Sequence, residues 1–348
     1  MNRRFRIFLT VLFLGLCHSS VLLRAEETKP AFQPNGKISG NMFGDYFYNL
    51  QNADSTKRDF NGFQFRRIYL GYNYEWSERF AAQFLLEADG AELTSSGKIG
   101  VFVKNAYLEW KDLVPMASLY FGMIPTPTWS THSEKIWGYR SIEKTILDLR
   151  KAGVASDLGL GLKGKFNQEE TISYYLIVGN GQGQKPENDK YKKFYGYIIV
   201  KPVKDLSLEG DADYEGAASD KNKFTFKGFV SYQTDDFTLG IEGFQQTKKK
   251  ALNDSIDVIP FGITVFAHAT LVKDQLRSFA RYDFYNPDTK VDNAGFNEHY
   301  FIAGLDYLPQ KNIHLMPNIL INSYSDKSPA NFKKKSDITA RLTFYYVY

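Results

Sequence analysis

Cysteine is all but missing from this 348-residue chain: the one present is Cys17, inside an N-terminal stretch read below as a removable leader. The remainder then has no disulfide, no thiol nucleophile and no cysteine-ligated metal. Long apolar runs are missing too. Outside the leader, no stretch reaches the roughly 18 uncharged apolar residues that mark a membrane-crossing helix. The third absence is a surplus of one charge sign. Of 43 basic residues, Arg3, Arg4, Arg6 and Arg24 lie in the leader, which leaves 39 against 39 acidic ones. A balanced chain argues against a nucleic-acid binder, so no nucleic acid is expected as a partner.

Aromatic residues are abundant: 28 Phe, 23 Tyr and 4 Trp. With 43% hydrophobic and 24% charged residues, the chain is too apolar for disorder and too polar for a helical membrane protein. Its mean hydropathy of −0.37 would suit a soluble protein. That average is blind to membrane β-barrels, whose lipid-facing and lumen-facing residues alternate and cancel.

Residues 1–25 have the layout of a secretory signal peptide. Arg3, Arg4 and Arg6 are followed by an apolar run from Ile7 to Leu16, then by Ser19, Ser20 and Ala25 ahead of Glu26. Cleavage after Ala25 is expected. The alternative is a lipoprotein modified at Cys17, with bulky Leu16 where a small residue is usual. Residues 26–36 then form a short N-terminal segment, and 37–348 form the main domain.

From residue 37 onward the apolar rhythm has a period of two. Ile68, Leu70, Tyr72, Tyr74 and Trp76 alternate with Arg67, Tyr69, Gly71, Asn73 and Glu75. Phe224, Phe226, Gly228, Val230 and Tyr232 alternate with Thr225, Lys227, Ser231 and Gln233. The pattern predicts sixteen strands, near 37–49, 63–76, 79–89, 100–111, 117–124, 154–166, 171–180, 192–202, 206–215, 223–233, 237–246, 258–271, 275–285, 298–308, 312–324 and 336–348. Most have the roughly 9–11 residues that a tilted strand needs to cross a bilayer. Short polar turns alternate with longer segments, including 125–153, 181–191 and 247–257. A membrane barrel sorts its connections in this way, whereas a soluble sandwich or propeller has no reason to. Tyr46, Tyr48, Tyr74, Trp76, Trp110, Tyr307, Tyr346 and Tyr348 sit near strand ends and suit interfacial girdles. The expected fold class is therefore all-β: a transmembrane antiparallel β-barrel of about sixteen strands, placed in the outer membrane and in contact with its lipid.

Few motifs suggest chemistry. Gly159, Gly161 and Gly164 match G-x-G-x-x-G, but alternation continues through them where a nucleotide loop needs a helix. Asp211, Asp213 and Glu215 open like a calcium loop, yet the closing position twelve along holds Asn222. They read as an acidic stripe on one strand, with a weak cation site as the alternative. His132, His268, His299 and His314 form no close ligand pair, so no metal site or cofactor is expected. No G-x-S-x-G occurs, and the chain is not expected to be an enzyme. A hydrolase assembled from distant residues is the remaining enzyme reading. The lysine runs 248–250 and 333–335 fall in expected loops and read as solvated charge.

The connection 125–153 differs from the others. It opens with Pro125 and Pro127, carries Trp129 and Trp137, and has Ile142, Ile146 and Leu149 at helical spacing. A loop of such length and content is expected to be ordered and functional. Folded into the lumen, it would narrow the channel. Glu134, Lys135, Arg140, Glu143, Lys144, Arg150 and Lys151 are then the candidate constriction charges, and Asp148 adds another acid. The alternative places the loop over the outer mouth.

Several stretches together resemble a known family. They are Phe65-Arg66-Arg67-Ile68-Tyr69-Leu70-Gly71, Asn105-Ala106-Tyr107-Leu108, Tyr120-Phe121-Gly122-Met123-Ile124-Pro125, Gly179-Asn180-Gly181 and Ala280-Arg281-Tyr282-Asp283. In this order they resemble the phosphate-selective porin family of O and P type. The resemblance implies a sixteen-stranded outer-membrane barrel, usually a homotrimer, with the third external loop folded into the pore. It implies passive diffusion of small ions or anionic solutes. Phosphate-specific members line the pore with an arginine ladder and a lysine cluster, and no motif here anchors those positions. The wall-facing basic residues are Arg67, Lys163, Lys201, Lys227, Arg277, Arg281 and Arg341. Asp45, Glu87, Asp89, Glu109, Glu209, Asp211, Asp213, Glu242, Asp283 and Asp306 match or outnumber them, a departure from a strongly basic lumen. The aromatic end, Tyr348, resembles the signal read by the barrel-assembly machinery. The functional expectation is an outer-membrane porin for small hydrophilic solutes, with anion selectivity as its finer form. The alternative is a structural or adhesive barrel with a closed lumen.

Overall fold

The computed structural model describes residues 32–130, 132–291 and 293–348. The expected leader, with Cys17, lies outside them. Seventeen strands are seen in a single sheet. They are β1 (Asn35–Gln51), β2 (Asn61–Glu75), β3 (Phe80–Leu93), β4 (Ile99–Val114), β5 (Ala117–Pro125), β6 (Ser156–Lys165), β7 (Ile172–Gly179), β8 (Lys193–Val203) and β9 (Leu206–Glu215). Then follow β10 (Lys223–Gln233), β11 (Phe237–Leu252), β12 (Ile256–Val258), β13 (Phe261–Val272), β14 (Leu276–Asn286), β15 (Phe296–Gln310), β16 (Ile313–Asp326) and β17 (Asp337–Val347).

β12 and β13 are two pieces of one wall strand. Lys248 pairs with Val258 and Gln245 with Phe261, along one line of register against β11. Pro260 interrupts the strand because it has no N–H, yet its carbonyl still accepts from the Gln246 N–H at 3.0 Å. The wall therefore has sixteen strands, all antiparallel to their neighbours. It closes where β1 pairs with both β2 and β17. The Gly40 and Tyr348 backbones exchange two hydrogen bonds of 3.0 Å at this seam. A closed wall leaves no unpaired strand edge.

The two faces invert the usual soluble arrangement. On β10, Phe226 is 55% exposed while its neighbour Lys227 is 5% exposed. On β7, Leu176 is exposed and Tyr175 buried. The same alternation runs round the ring, with Phe63, Val101, Phe121, Phe194 and Leu342 outward. Leaving each large apolar side chain in water forgoes about 1.5–3 kcal/mol, so this outer face requires an apolar medium. Among the expected girdle residues, Tyr74 lies edge-on to Trp76 at 5.2 Å, and both Tyr346 and Tyr348 are exposed.

One end has tight connections, such as 115–116, 204–205 and 311–312. The other carries 52–60, 126–155, 180–192, 287–295 and 327–336. The expected loop 247–257 is corrected: β11 runs on to Leu252, so Lys248, Lys249 and Lys250 are strand residues. A tight turn follows, with Asn253 and Asp254 both at positive φ, a conformation these residue types tolerate. Three lysines in a row read as loop because they broke the apolar alternation. Past the apolar belt, a strand can be polar on both faces.

Candidate functional site

The segment 126–155 joins β5 to β6 and holds three short helices, α1 (Pro127–Ser130), α2 (His132–Trp137) and α3 (Ile146–Leu149). The Trp129 side chain lies outside what the structure describes. The ends of the segment meet in a narrow neck. The Thr126 N–H donates to the Ala155 carbonyl at 3.1 Å, and its hydroxyl donates to the Val154 carbonyl.

The apolar half of the segment packs on inner-face side chains of β10 and β13–β16. Ile136, Trp137, Tyr139 and Ile142 form one buried cluster with Phe229, Phe266, Phe279, Ile302 and Met316. The Trp137 ring lies 5.1 Å from Phe266, and Tyr139 lies 4.4 Å from Phe279. Glycine opposite two of the wall phenylalanines makes room for this. Gly240 pairs with Phe266, and Gly304 pairs with Phe279. A Cβ at Gly240 would sit 2.3 Å from the Phe266 ring, and one at Gly304 2.5 Å from Phe279. A second cluster joins Ile146, Leu147 and Ala152 to Phe244 of β11.

Wall side chains also hold the backbone carbonyls of the segment. Arg66 donates to the carbonyls of Ser141 (2.7 Å) and Ile142 (2.9 Å). Arg281 donates to Lys144 O at 2.5 Å, and Gln246 donates to Ala152 O at 2.6 Å. His268 Nε2 meets Ile136 O at 3.1 Å, and His132 Nε2 meets Ser207 Oγ at 2.7 Å. These partners come from β2, β9, β11, β13 and β14. Buried carbonyls need such donors, since each one left unpaired costs about 1–3 kcal/mol.

The expected constriction charges separate into groups. Arg140 donates to Glu134 (3.0 Å) and Asp148 (2.9 Å), and Lys144 reaches Asp148 at 3.4 Å. Arg150 donates to Glu298 at 2.8 Å and lies 4.5 Å over the Tyr285 ring. Glu143 accepts from Tyr300 at 3.2 Å. Burial would raise the Glu143 carboxyl, but Arg66, Arg341 and Arg281 outweigh it and hold it below its ordinary value. Asp148 is likewise desolvated, yet Arg140 and Lys144 hold it low. Burial pushes the His132 imidazole down, helped by Lys201 and Lys135 against the opposing pull of Glu209. Lys135 and Lys151 are exposed and have no ion-pair partner among the described residues. The seven charges thus form pairs and outliers along the segment.

The seven basic residues expected on the wall fall on strands, with most of them tied to acids. Arg67 pairs with Glu87 and Asp89, Lys227 with Glu209 (3.1 Å) and Asp211 (2.9 Å), and Arg281 with Asp283 (2.6 Å). Arg341 lies 4.0 Å from Asp45. The acidic stripe of β9 is matched by lysines on its neighbours: Lys193 reaches Asp213 and Glu215 at 3.4 Å, and Lys223 reaches Glu215 at 2.6 Å. Lysines take the place a cation would fill. Lys163, Lys201 and Arg277 have no carboxylate partner among the described residues. The glycines 159, 161 and 164 sit within β6, as the alternation implied.

Two inward cations escaped the sequence reading, and the same device explains both. The register of β1 on β2 steps from Phe43↔Arg67 to Gly44↔Phe65, which leaves Arg66 as an extra residue. The register of β3 on β4 steps from Leu85↔Asn105 to Leu86↔Val103, which leaves Lys104 extra. Such bulges break strict alternation. Arg66 and Arg67 then both reach inner partners, and Lys104 meets Glu87 at 2.9 Å beside buried Asn105. An arginine or lysine in a lipid-facing slot costs about 2–4 kcal/mol near mid-membrane. That cost was the available signal of a broken register.

No family model matches the chain, and no curated protein matches it. The resemblance to phosphate-selective porins therefore rests on its motifs alone. Solved structures do match. An anion-selective porin from Comamonas acidovorans superposes with a TM-score of 0.65 at 11% identity, over 91% of this chain and 100% of that one. The outer membrane channel DcaP of Acinetobacter baumannii gives 0.65 at 12% identity, over 94% and 100%. OmpF of Salmonella typhi, solved with daunomycin, gives 0.64 at 11%, over 90% and 97%. At such identities the likeness is one of fold: this chain shares with them the closed sixteen-strand antiparallel barrel.

Proposed function

We propose that the chain is an outer-membrane channel through which small hydrophilic solutes and ions diffuse down their gradients. The observation that carries this reading is the inverted wall, with ionic side chains inside and large apolar ones outside on a closed sheet. A charged interior of this kind is built for water, whereas a soluble barrel would hide its apolar face. The segment 126–155 is the constriction. It leaves the wall between β5 and β6 and bonds to side chains of β2, β9, β11 and β13–β15, which supports a course across the lumen. Residues 1–25 act as the signal peptide for export, and the barrel-assembly machinery inserts the chain beside outer-membrane lipid. Assembly as a homotrimer accords with the fold shared with porins. Selectivity for anions is the finer part of the proposal and rests on Lys135, Lys151, Lys163, Lys201 and Arg277, the expected wall and segment cations without a carboxylate partner among the described residues.

A closed-lumen barrel is the second reading, and one observation favours it. Near the segment, inner side chains from all round the ring are nearly inaccessible, among them Asp45, Glu87, Asn105, Glu242, Asp283 and Thr343. Single-channel recording in planar bilayers decides between the two. Stepwise conductance from purified folded protein supports the channel. Its absence across voltages leaves the closed barrel. The reversal potential in a salt gradient then reads ion preference.

A further inference from the structure

A cavity of about 410 Å³ opens at the short-turn end of the barrel, between α2 and the ends of β5, β6 and β8. Four ammonium groups line it: Lys135 from α2, Lys163 and Lys165 from β6 and Lys201 from β8; Lys165 is paired with Glu170, which leaves the other three. They contrast with the rest of the interior, where Lys104, Lys193 and Lys227 each sit on a carboxylate. No such partner reaches these three among the described residues. The acids nearby are committed or peripheral. Glu170 accepts from Lys165 at 3.0 Å, Glu109 accepts from Tyr120 at 2.8 Å, and Asp112 is exposed to solvent. His132 faces the same space, and burial pushes its imidazole down, which disfavours a further positive charge there.

Another part of the cavity lining is apolar and aromatic. Met116, Ala117, Tyr120, Tyr197 and Ile199 line it. Tyr120 and Tyr197 belong to a row of rings that runs from Tyr107 to Tyr120 (5.5 Å), Tyr175 (5.9 Å) and Tyr197 (5.8 Å), each pair edge to face. Lys163 Nζ stands 5.9 Å over the Tyr175 ring. An inorganic anion would use the ammonium groups and leave this wall wetted to no benefit. A flat apolar body with an acidic group uses both parts.

We propose that this cavity binds an organic anion made of a planar apolar body and a carboxylate, held by Lys135, Lys163 and Lys201 against the tyrosine wall. The site deepens the channel reading by naming a solute class, and it rests on that reading for access from water. Its binding can be measured apart from conduction. The probe is 2-naphthoate, followed by its fluorescence on the full folded barrel in detergent. Uncharged 2-naphthol and inorganic phosphate serve as comparisons.

Naphthoate should bind at least tenfold more tightly than naphthol or phosphate. The double variant Lys163→Gln, Lys201→Gln should weaken it at least tenfold while retaining the compact migration of a folded barrel on unheated gels. Lys135→Gln, at an exposed position, gives a second reading where the double variant folds poorly. Equal binding of naphthol, equal competition by phosphate, or naphthoate binding untouched by the folded variants would each overturn the proposal, as would no binding at all. A barrel that binds naphthoate through these lysines yet carries no current keeps the site and removes the channel.

Discussion

Gly240 and Phe266 face each other across β11 and β13, and the missing side chain of the first is the space in which the ring of the second lies. That ring is the floor on which Trp137 rests at 5.1 Å. A residue without a side chain on the wall thereby sets the position of a segment more than a hundred residues earlier. Gly240→Val should lift Phe266, cost about 1–3 kcal/mol by overpacking, and loosen the segment. Faster proteolytic cutting within 132–150, with the barrel still folded on gels, is the expected result. Unchanged cutting would remove the floor from the argument.

Glu143 is the shared counter-charge of Arg66, Arg281 and Arg341. Glu143→Gln keeps the shape and removes the charge, leaving three guanidinium groups with less compensation. Open-channel noise should rise, and the reversal potential in a salt gradient should move toward anions. A potential equal to that of the parent would mean that this cluster does not face the ion path.

Acidity should undock the segment in two stages. His132 is half-buried, with its folded value lowered, so the unfolded state binds more protons. Its contribution is complete above about pH 6.5 and is lost as pH falls below that. Glu143 and Asp148 are also lowered. Their contribution is present above about pH 4 and is lost as pH falls through their folded values. Protection of the residue 132–150 amides, corrected for the intrinsic exchange rate at each pH, should therefore fall first as pH drops below about 6.5 and again in stronger acid. His132→Gln should abolish the first stage only.

Deletion of residues 130–150 should raise single-channel conductance, because it removes the packed obstruction and leaves the sixteen wall strands paired. An unchanged conductance in a folded deletion variant would count against the constriction.

Much of this architecture is visible in the linear chain. Lipid on one side and water on the other impose a period of two, and no other arrangement of Ile68, Leu70 and Tyr72 against Arg67 and Tyr69 satisfies both media. The sorting of turns and loops follows, as does the singular content of 125–153. Alternation alone also puts seven basic residues on one face of their strands, whatever their role.

What the chain alone left open has one physical origin: partners distant in sequence. Arg66 and Lys104 turn inward only because β1 and β3 step their register opposite them, and a bulge is a property of two strands together. Lys163 and Lys201 stand without carboxylates while Lys193 and Lys227 do not, and only the neighbouring strands decide which. The rhythm of side chains determined the wall; tertiary pairing decided which of its charges are neutralised, since a charge is cancelled by what folds against it.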